Sequence, residues 1–160
     1  MEIEINIEDA RWAEAGLDDL AETACGATLQ HLGMGDHWVI SILACDDARI
    51  AVLNASFRNQ EKATNVLAWP SQDRSPTVPG TRPDPPEPGD PELGDIAISY
   101  DTMLRESEAS GISLRDHSLH LIVHALLHCL GYDHIDDKDA AIMEATEVEV
   151  LARLGVADPY

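Results

Sequence analysis

Polar and apolar residues alternate at period two in EIEINI, residues 2 to 7, which predicts a strand with one face turned inward. Beyond it the apolar positions Trp12, Ala15, Leu20, Ala24, Ala27 and Leu32 recur at roughly helical spacing. They predict one helix from about Arg11 to His31, stopped by Gly33 and Gly35. HWVISILAC, residues 37 to 45, is rich in β-branched side chains and short enough for a buried strand. Asp46 and Asp47 then stand where an N-cap belongs, ahead of the helical pattern ARIAVLNASFRN. A third strand is expected from Asn65 to Trp69, ended by Pro70, and a fourth at ELGDIAIS. The last third reads as three helices: Ser99 to about Glu108, Ser113 to about Leu130, and Asp136 to about Leu154. Ser113 with Asp116 three residues on makes a capping-box-like start, and Gly131 supplies a stop. Strands interleaved with helices, about four strands in all, predict a mixed α and β domain built on one small sheet.

Between these elements lies one segment that no regular structure survives. Seven of the nine prolines fall between Ser71 and Glu92, each removing a backbone donor and fixing φ. The expectation is a long surface loop over about residues 71–92, a disordered insert rather than a lid.

The 160 residues fit one domain, residues 1–160. No run approaches the roughly 18 to 20 apolar residues of a spanning helix, so a membrane role is not expected. The acidic start MEIEINIEDA lacks the features of a secretory signal, and the expected location is cytoplasmic. Cys25, Cys45 and Cys129 are odd in number and widely spaced, which fits ordinary reduced thiols rather than a disulfide framework or a zinc knuckle. Charge changes the picture more. The chain carries 30 acidic residues against 10 basic, a net −20, which argues against a nucleic-acid partner on average. The stretch from Arg49 to Arg82 is the exception, with Arg49, Arg58, Lys62, Arg74 and Arg82 against Glu61 and Asp73. An anion, if bound, is expected there.

Five of the seven histidines lie between His117 and His134, around VHALLHCLGYDH. His124 and His128 stand at i and i+4 on the predicted helix, which stacks two imidazoles on one face. Gly131 can adopt the left-handed conformation that ends the helix and brings His134 back as a third ligand. Three neutral imidazoles with one vacant position are the pattern of a catalytic zinc site, which lowers the pKa of a coordinated water to about 7. Zinc is the first expectation, although imidazole also suits nickel, copper and iron. His120 and His117 share the helical face. His120 to His128 spans about 12 Å of helical rise, too far for both to join His124 on one metal, so His120 is read as packing or as a support behind the ligands. Cys129 points about 100° away from His128 and is excluded as a ligand of that metal.

The spacing is that of the H-E-x-x-H-x-x-G-x-x-H proteases, in which the Glu after the first histidine is the general base. Ala125 occupies that position here, and loss of such a base typically costs 10² to 10⁴ in rate. A metallopeptidase is therefore the second choice, revived only if Asp133 or Asp95 reached the metal-bound water.

VHALLHCLGYDH also resembles the H-G-x-L-H-L-x-G-Y-D-H signature of the YbeY endoribonucleases, bacterial rRNA maturation factors. LNASFRNQEKATNVLAWP resembles their L-N-x-x-Y-R-x-x-x-x-x-T-D-V-L-S-F-P, LGDIAIS their L-G-D-I-x-I-S, and MEATEVEVL the acidic end of their last helix. The resemblance implies an α+β domain, a mixed sheet of about four strands packed against about five helices. It further implies a single-strand-specific, metal-dependent endoribonuclease acting in rRNA processing, notably at the small-subunit 3′ end, and in ribosome quality control. By motif His124, His128 and His134 become the metal ligands, His124 and Arg58 the catalytic residues, and single-stranded RNA, rRNA and the ribosome or ribosomal proteins the partners. Ala125 stands for the family glycine, Asn65 for aspartate, Ala68 for serine and Trp69 for phenylalanine; none of these is a ligand. Arg58 lies in the one locally positive stretch, where a guanidinium can clamp a phosphate through two bonds. Asp95 and Asp133 are candidates to orient the ligand histidines or to cap turns. A metal-stabilised ribosome-docking protein without chemistry remains the third reading, because an acidic surface suits a basic ribosomal protein.

Overall fold

Strand alternation decides what lies on each side of a four-stranded sheet in the computed structural model, which describes residues 1–160. The elements run β1 (Glu2–Ile7), α1 (Arg11–Glu14), α2 (Leu17–His31), β2 (Val39–Cys45), α3 (Asp47–Arg58), β3 (Val66–Pro70), β4 (Glu92–Ser99), α4 (Tyr100–Ser110), α5 (Leu114–Cys129) and α6 (Asp137–Arg153). The sheet order is β1-β2-β4-β3. β1, β2 and β4 are parallel, and β3 runs antiparallel along β4 with Val66 opposite Ile98 and Trp69 opposite Asp95. This is the mixed four-stranded α+β domain expected, with six helices rather than about five.

The extra helix arises at Gly16. Its φ of 76° breaks the segment read as one helix from Arg11 to His31 into a single turn, α1, and the longer α2. The break turns Trp12 fully into the core, where its indole N–H donates to Cys45 O at 3.1 Å. A periodicity argument passes over such a kink because the apolar spacing on either side stays helical.

Ile40, Ile42 and Ala44 of β2 and Ile96 and Ile98 of β4 face inward, against α2 and α5, with α6 packed on those helices to complete the main core. Cys45, Leu67 and Ala97 face the other way and meet Ile50 of α3 in a smaller cluster. The two capped starts predicted from sequence are present. Asp46 accepts from Arg49 N at 2.9 Å, and Ser113 Oγ accepts from Asp116 N at 3.1 Å. All three cysteines are free and buried, and burial pushes each thiol up to about 12.

Residues 71–91 form no helix or strand, yet they are anchored, unlike the disordered insert expected. Arg74 Nη1 donates to Leu93 O and to Cys129 O, both at 2.9 Å, while Nη2 donates to Ser71 Oγ at 2.8 Å and Glu92 O at 3.1 Å. Gly80 N donates to Asp139 Oδ1 at 2.8 Å. One arginine thus satisfies a terminal carbonyl of α5 and ties the loop to β4. Composition signals the missing donors of seven prolines but not a single side chain that supplies replacements. No helix of the protein is long and apolar enough to cross a membrane.

Candidate metal centre

Past its first turn α5 is enclosed on every side but one, and the remaining stripe is histidine. Leu119, Ile122, Val123, Ala125, Leu126 and Leu127 are fully buried, whereas His117, His120, His124 and His128 are partly exposed along one edge. Spacing of three and four residues lines these four up because a helix returns to the same face each 3.6 residues. Three of them meet carboxylates, His124 doing so through Nδ1 on Glu147. His117 Nε2 meets Glu106 Oε1 at 3.0 Å, and His120 Nε2 meets Glu147 Oε2 at 3.2 Å.

The stripe gains its third member from beyond the helix. Gly131 adopts φ of 100°, its N–H donates to His128 O, and Tyr132 N returns to Leu127 O, so the chain reverses and delivers His134. One ring nitrogen from each of His124, His128 and His134 lies within 4.8 Å of the others. His124 and His134 stack with centroids 5.4 Å apart, and His128 lies edge-on to both. The three ligands expected from sequence are thus brought together.

The donor set fits a metal. The Nε2 atoms of His124 and His128 face each other at 3.1 Å, a spacing at which two imidazoles share one proton or one metal. A tetrahedral metal would hold such a pair about 3.4 Å apart at metal–nitrogen distances near 2.0 to 2.1 Å. His128 is also prepared for the role. Burial, reinforced by the neighbouring His124 and His134, lowers its pKa to about 4, so it stays neutral near pH 7.

The remaining candidates fall elsewhere. Asp133 Oδ1 accepts from His134 N at 2.7 Å, a turn-forming bond. Asp95 lies on the outer sheet face beside Ser41 and Trp69, away from the inner face that carries α5. Cys129 is buried in the main core. The locally positive stretch is only partly free: Arg49 pairs with Glu8 at 3.3 Å and Arg74 is spent on carbonyls, leaving Arg58, Lys62 and Arg82 exposed. Arg58 Nη2 donates to Ala68 O at 3.0 Å at the edge strand β3 and makes no bond to the histidines or to Glu61 or Asp95. Asn65 Nδ2 donates to Glu106 Oε1 at 3.0 Å.

Sequence reasoning misses Glu147. Its side chain is fully buried, accepts from His120, His124 Nδ1 and the Tyr160 hydroxyl, and lies between α5 and α6. Burial raises a carboxylate, but the bonds from His120, His124 and Tyr160 outweigh it and hold Glu147 at about 2. A signal was present, since Met143, Thr146, Val150 and Leu151 mark the buried face of α6 and Glu147 sits on that same face.

A mixed sheet backed by helices, one of which presents converging imidazoles, defines a domain with a candidate histidine metal centre. Comparison with known proteins makes the class specific. Residues 2–155 match the family model described as Endoribonuclease YbeY. An Endoribonuclease YbeY of Paracoccus denitrificans is 52% identical over 158 residues, covering 99% of this chain and 89% of that protein. One from a Jannaschia species is 52% identical over 161 residues, covering 100% of both, and one from Bartonella quintana is 40% identical over 163 residues, covering 99% and 96%. The solution structure of a Thermotoga maritima protein shares the fold with a TM-score of 0.62 at 19% identity, over 95% of this chain and 88% of that one. The chain belongs to the YbeY endoribonuclease family.

Proposed function

We propose that this endoribonuclease is single-strand-specific and metal-dependent, with zinc held by His124, His128 and His134 and nickel as the alternative. In this reading it acts in the cytoplasm on rRNA, at maturation of the small-subunit 3′ end and in ribosome quality control. The observation that carries the reading is the convergence of three imidazoles on the single exposed edge of a buried helix, in a chain of an endoribonuclease family.

A divalent metal held there would supply a Lewis acid and lower the pKa of a coordinated water. The protein's own part is geometry and charge. α5 and the turn at Gly131 fix the three ring nitrogens before substrate arrives, so no reorganisation is needed during reaction. Arg58 spends one N–H on Ala68 O, which orients its guanidinium, and its other donors remain for a phosphate oxygen. Negative charge that develops on the phosphoryl oxygens as the P–O bond breaks is stabilised there. His124 contributes both a ligand nitrogen and the alignment of the reacting centre. Ala125, buried where a protease carries its glutamate, leaves peptide hydrolysis without a base and weighs against the peptidase.

The acidic surface finds use in a protein partner. Leu43, Leu53, Phe57 and Trp69 line an open groove of about 570 Å³ on the outer sheet face, with Glu4 and Asp95 beside them. Apolar walls with carboxylates suit a basic ribosomal protein. The test of the enzymatic reading is Arg58→Ala. Cleavage of single-stranded RNA should fall by about 10² or more while metal content stays unchanged; cleavage at the wild-type rate would show the assignment to be wrong.

A further inference from the structure

Glu147 is the one fully buried carboxylate of the protein, and it faces the reverse side of the candidate metal centre. An ionised carboxylate only accepts hydrogen bonds, so the group that meets it on His124, Nδ1, must carry the ring proton. That leaves Nε2 of His124 as the lone-pair nitrogen, the atom already turned toward His128 Nε2 at 3.1 Å. The carboxylate is held in turn. His120 Nε2 bonds its second oxygen at 3.2 Å, and the Tyr160 hydroxyl donates to that same oxygen. The His120 and Tyr160 rings meet edge to face with centroids 5.8 Å apart, which closes this side of the cluster.

We propose that Glu147 is a positioning residue that locks the tautomer and orientation of His124 through Nδ1–H, and that His120 and Tyr160 hold Glu147 for that task. This inference rests on the reading of His124, His128 and His134 as metal ligands. A carboxylate behind a ligand imidazole raises its basicity and restricts ring rotation, and losing one typically weakens metal binding about 10- to 100-fold. Burial without partners strongly disfavours an ion, so the three donors are a condition of its being charged there. The inference also explains why His120 lies on the histidine stripe without joining the three ligands.

The test is zinc affinity by competition with a chromophoric chelator, which needs no RNA. Glu147→Ala should weaken zinc binding about 10- to 100-fold. Glu147→Gln, nearly isosteric and still able to accept from Nδ1–H, should fall between it and wild type, and Tyr160→Phe should weaken binding by less. Cobalt substituted for zinc should show altered visible absorption in Glu147→Gln, because the ligand field at His124 changes. A folded Glu147→Gln or Tyr160→Phe with wild-type affinity and an unchanged cobalt spectrum would overturn the proposal, and Glu147 would be structural only. Two zinc ions per wild-type chain, one of them lost in His120→Ala, would overturn it too, since Glu147 would then be a ligand. Wild-type protein that binds zinc but cleaves no RNA would instead contradict the functional reading and leave the Glu147 measurement intact.

Discussion

Gly131 lies directly against the backbone carbonyl of Arg74, so that a Cβ at position 131 would collide with it. The contact joins the proline-rich segment to the turn that delivers His134. Glycine is needed there twice over, for φ of 100° and for the close approach. Gly131→Ala should destabilise the fold by more than about 1 kcal/mol and reduce zinc affinity, because the turn cannot keep both His134 and the loop in place. Urea unfolding and chelator competition on the same preparation measure the two effects.

Arg74 works on the same junction from the loop side. Arg74→Met keeps much of the aliphatic stem but leaves the Cys129 carbonyl without its donor and the Leu93 carbonyl with only Ser71 N. A stability loss of roughly 1 to 3 kcal/mol is expected. Faster proteolysis between residues 71 and 91 should accompany it, read by the masses of the first fragments.

Asp47 ties the start of α3 to the start of α4. Its Oδ1 accepts from Ser99 Oγ at 2.7 Å and Thr102 Oγ1 at 2.6 Å, and its Oδ2 from Arg105 at 2.9 Å. Asp47→Ala should cost roughly 1 to 3 kcal/mol by urea denaturation, since two hydroxyls and a guanidinium lose their acceptor. Asp47→Asn should recover part of that loss, and RNA cleavage per folded molecule should stay near wild type in both.

Two shifted groups at the histidine cluster contribute to the pH response of the metal-free protein. His128 has its pKa lowered from 6.5 to about 4 by burial first and by His124 and His134 second, so the folded state resists a proton that the unfolded chain accepts. Its contribution to stability is therefore whole above pH 6.5 and declines as pH falls toward 4. Glu147, lowered from 4.5 to about 2, contributes fully above pH 4.5 and loses that contribution as pH falls toward 2. Stability of the metal-free protein should thus drop from pH 6.5 downward. In His128→Gln the slope between pH 6.5 and 4.5 should flatten, which urea titrations at half-unit intervals would show.

The candidate ligands were legible because their relation is local. Positions i and i+4 on one helix, followed by glycine and a third histidine, determine a geometry that little in the rest of the fold can alter. Glu147 was not legible in the same way. It stands 23 residues from His124 on another helix, and although its apolar neighbours on α6 mark it as buried, only the packing of α5 against α6 pairs it with His124. The strand faces followed from alternation, and the caps at Asp46 and Ser113 from side-chain chemistry. The kink at Gly16 and the anchoring of residues 71–91 depend on tertiary contacts of Trp12 and Arg74, which no window of sequence contains. Arg58 came from motif and local charge, and its bond to Ala68 O at the sheet edge was beyond either.

In the proposed function the three histidines serve RNA cleavage through a bound metal. The most direct test is an end-labelled single-stranded RNA incubated with metal-reconstituted wild type and with His128→Ala purified in parallel. Cleavage by the wild type alone, abolished by a chelator and restored by zinc, is the predicted result. Equal cleavage by both proteins, or none by either at full metal occupancy of the wild type, would contradict it.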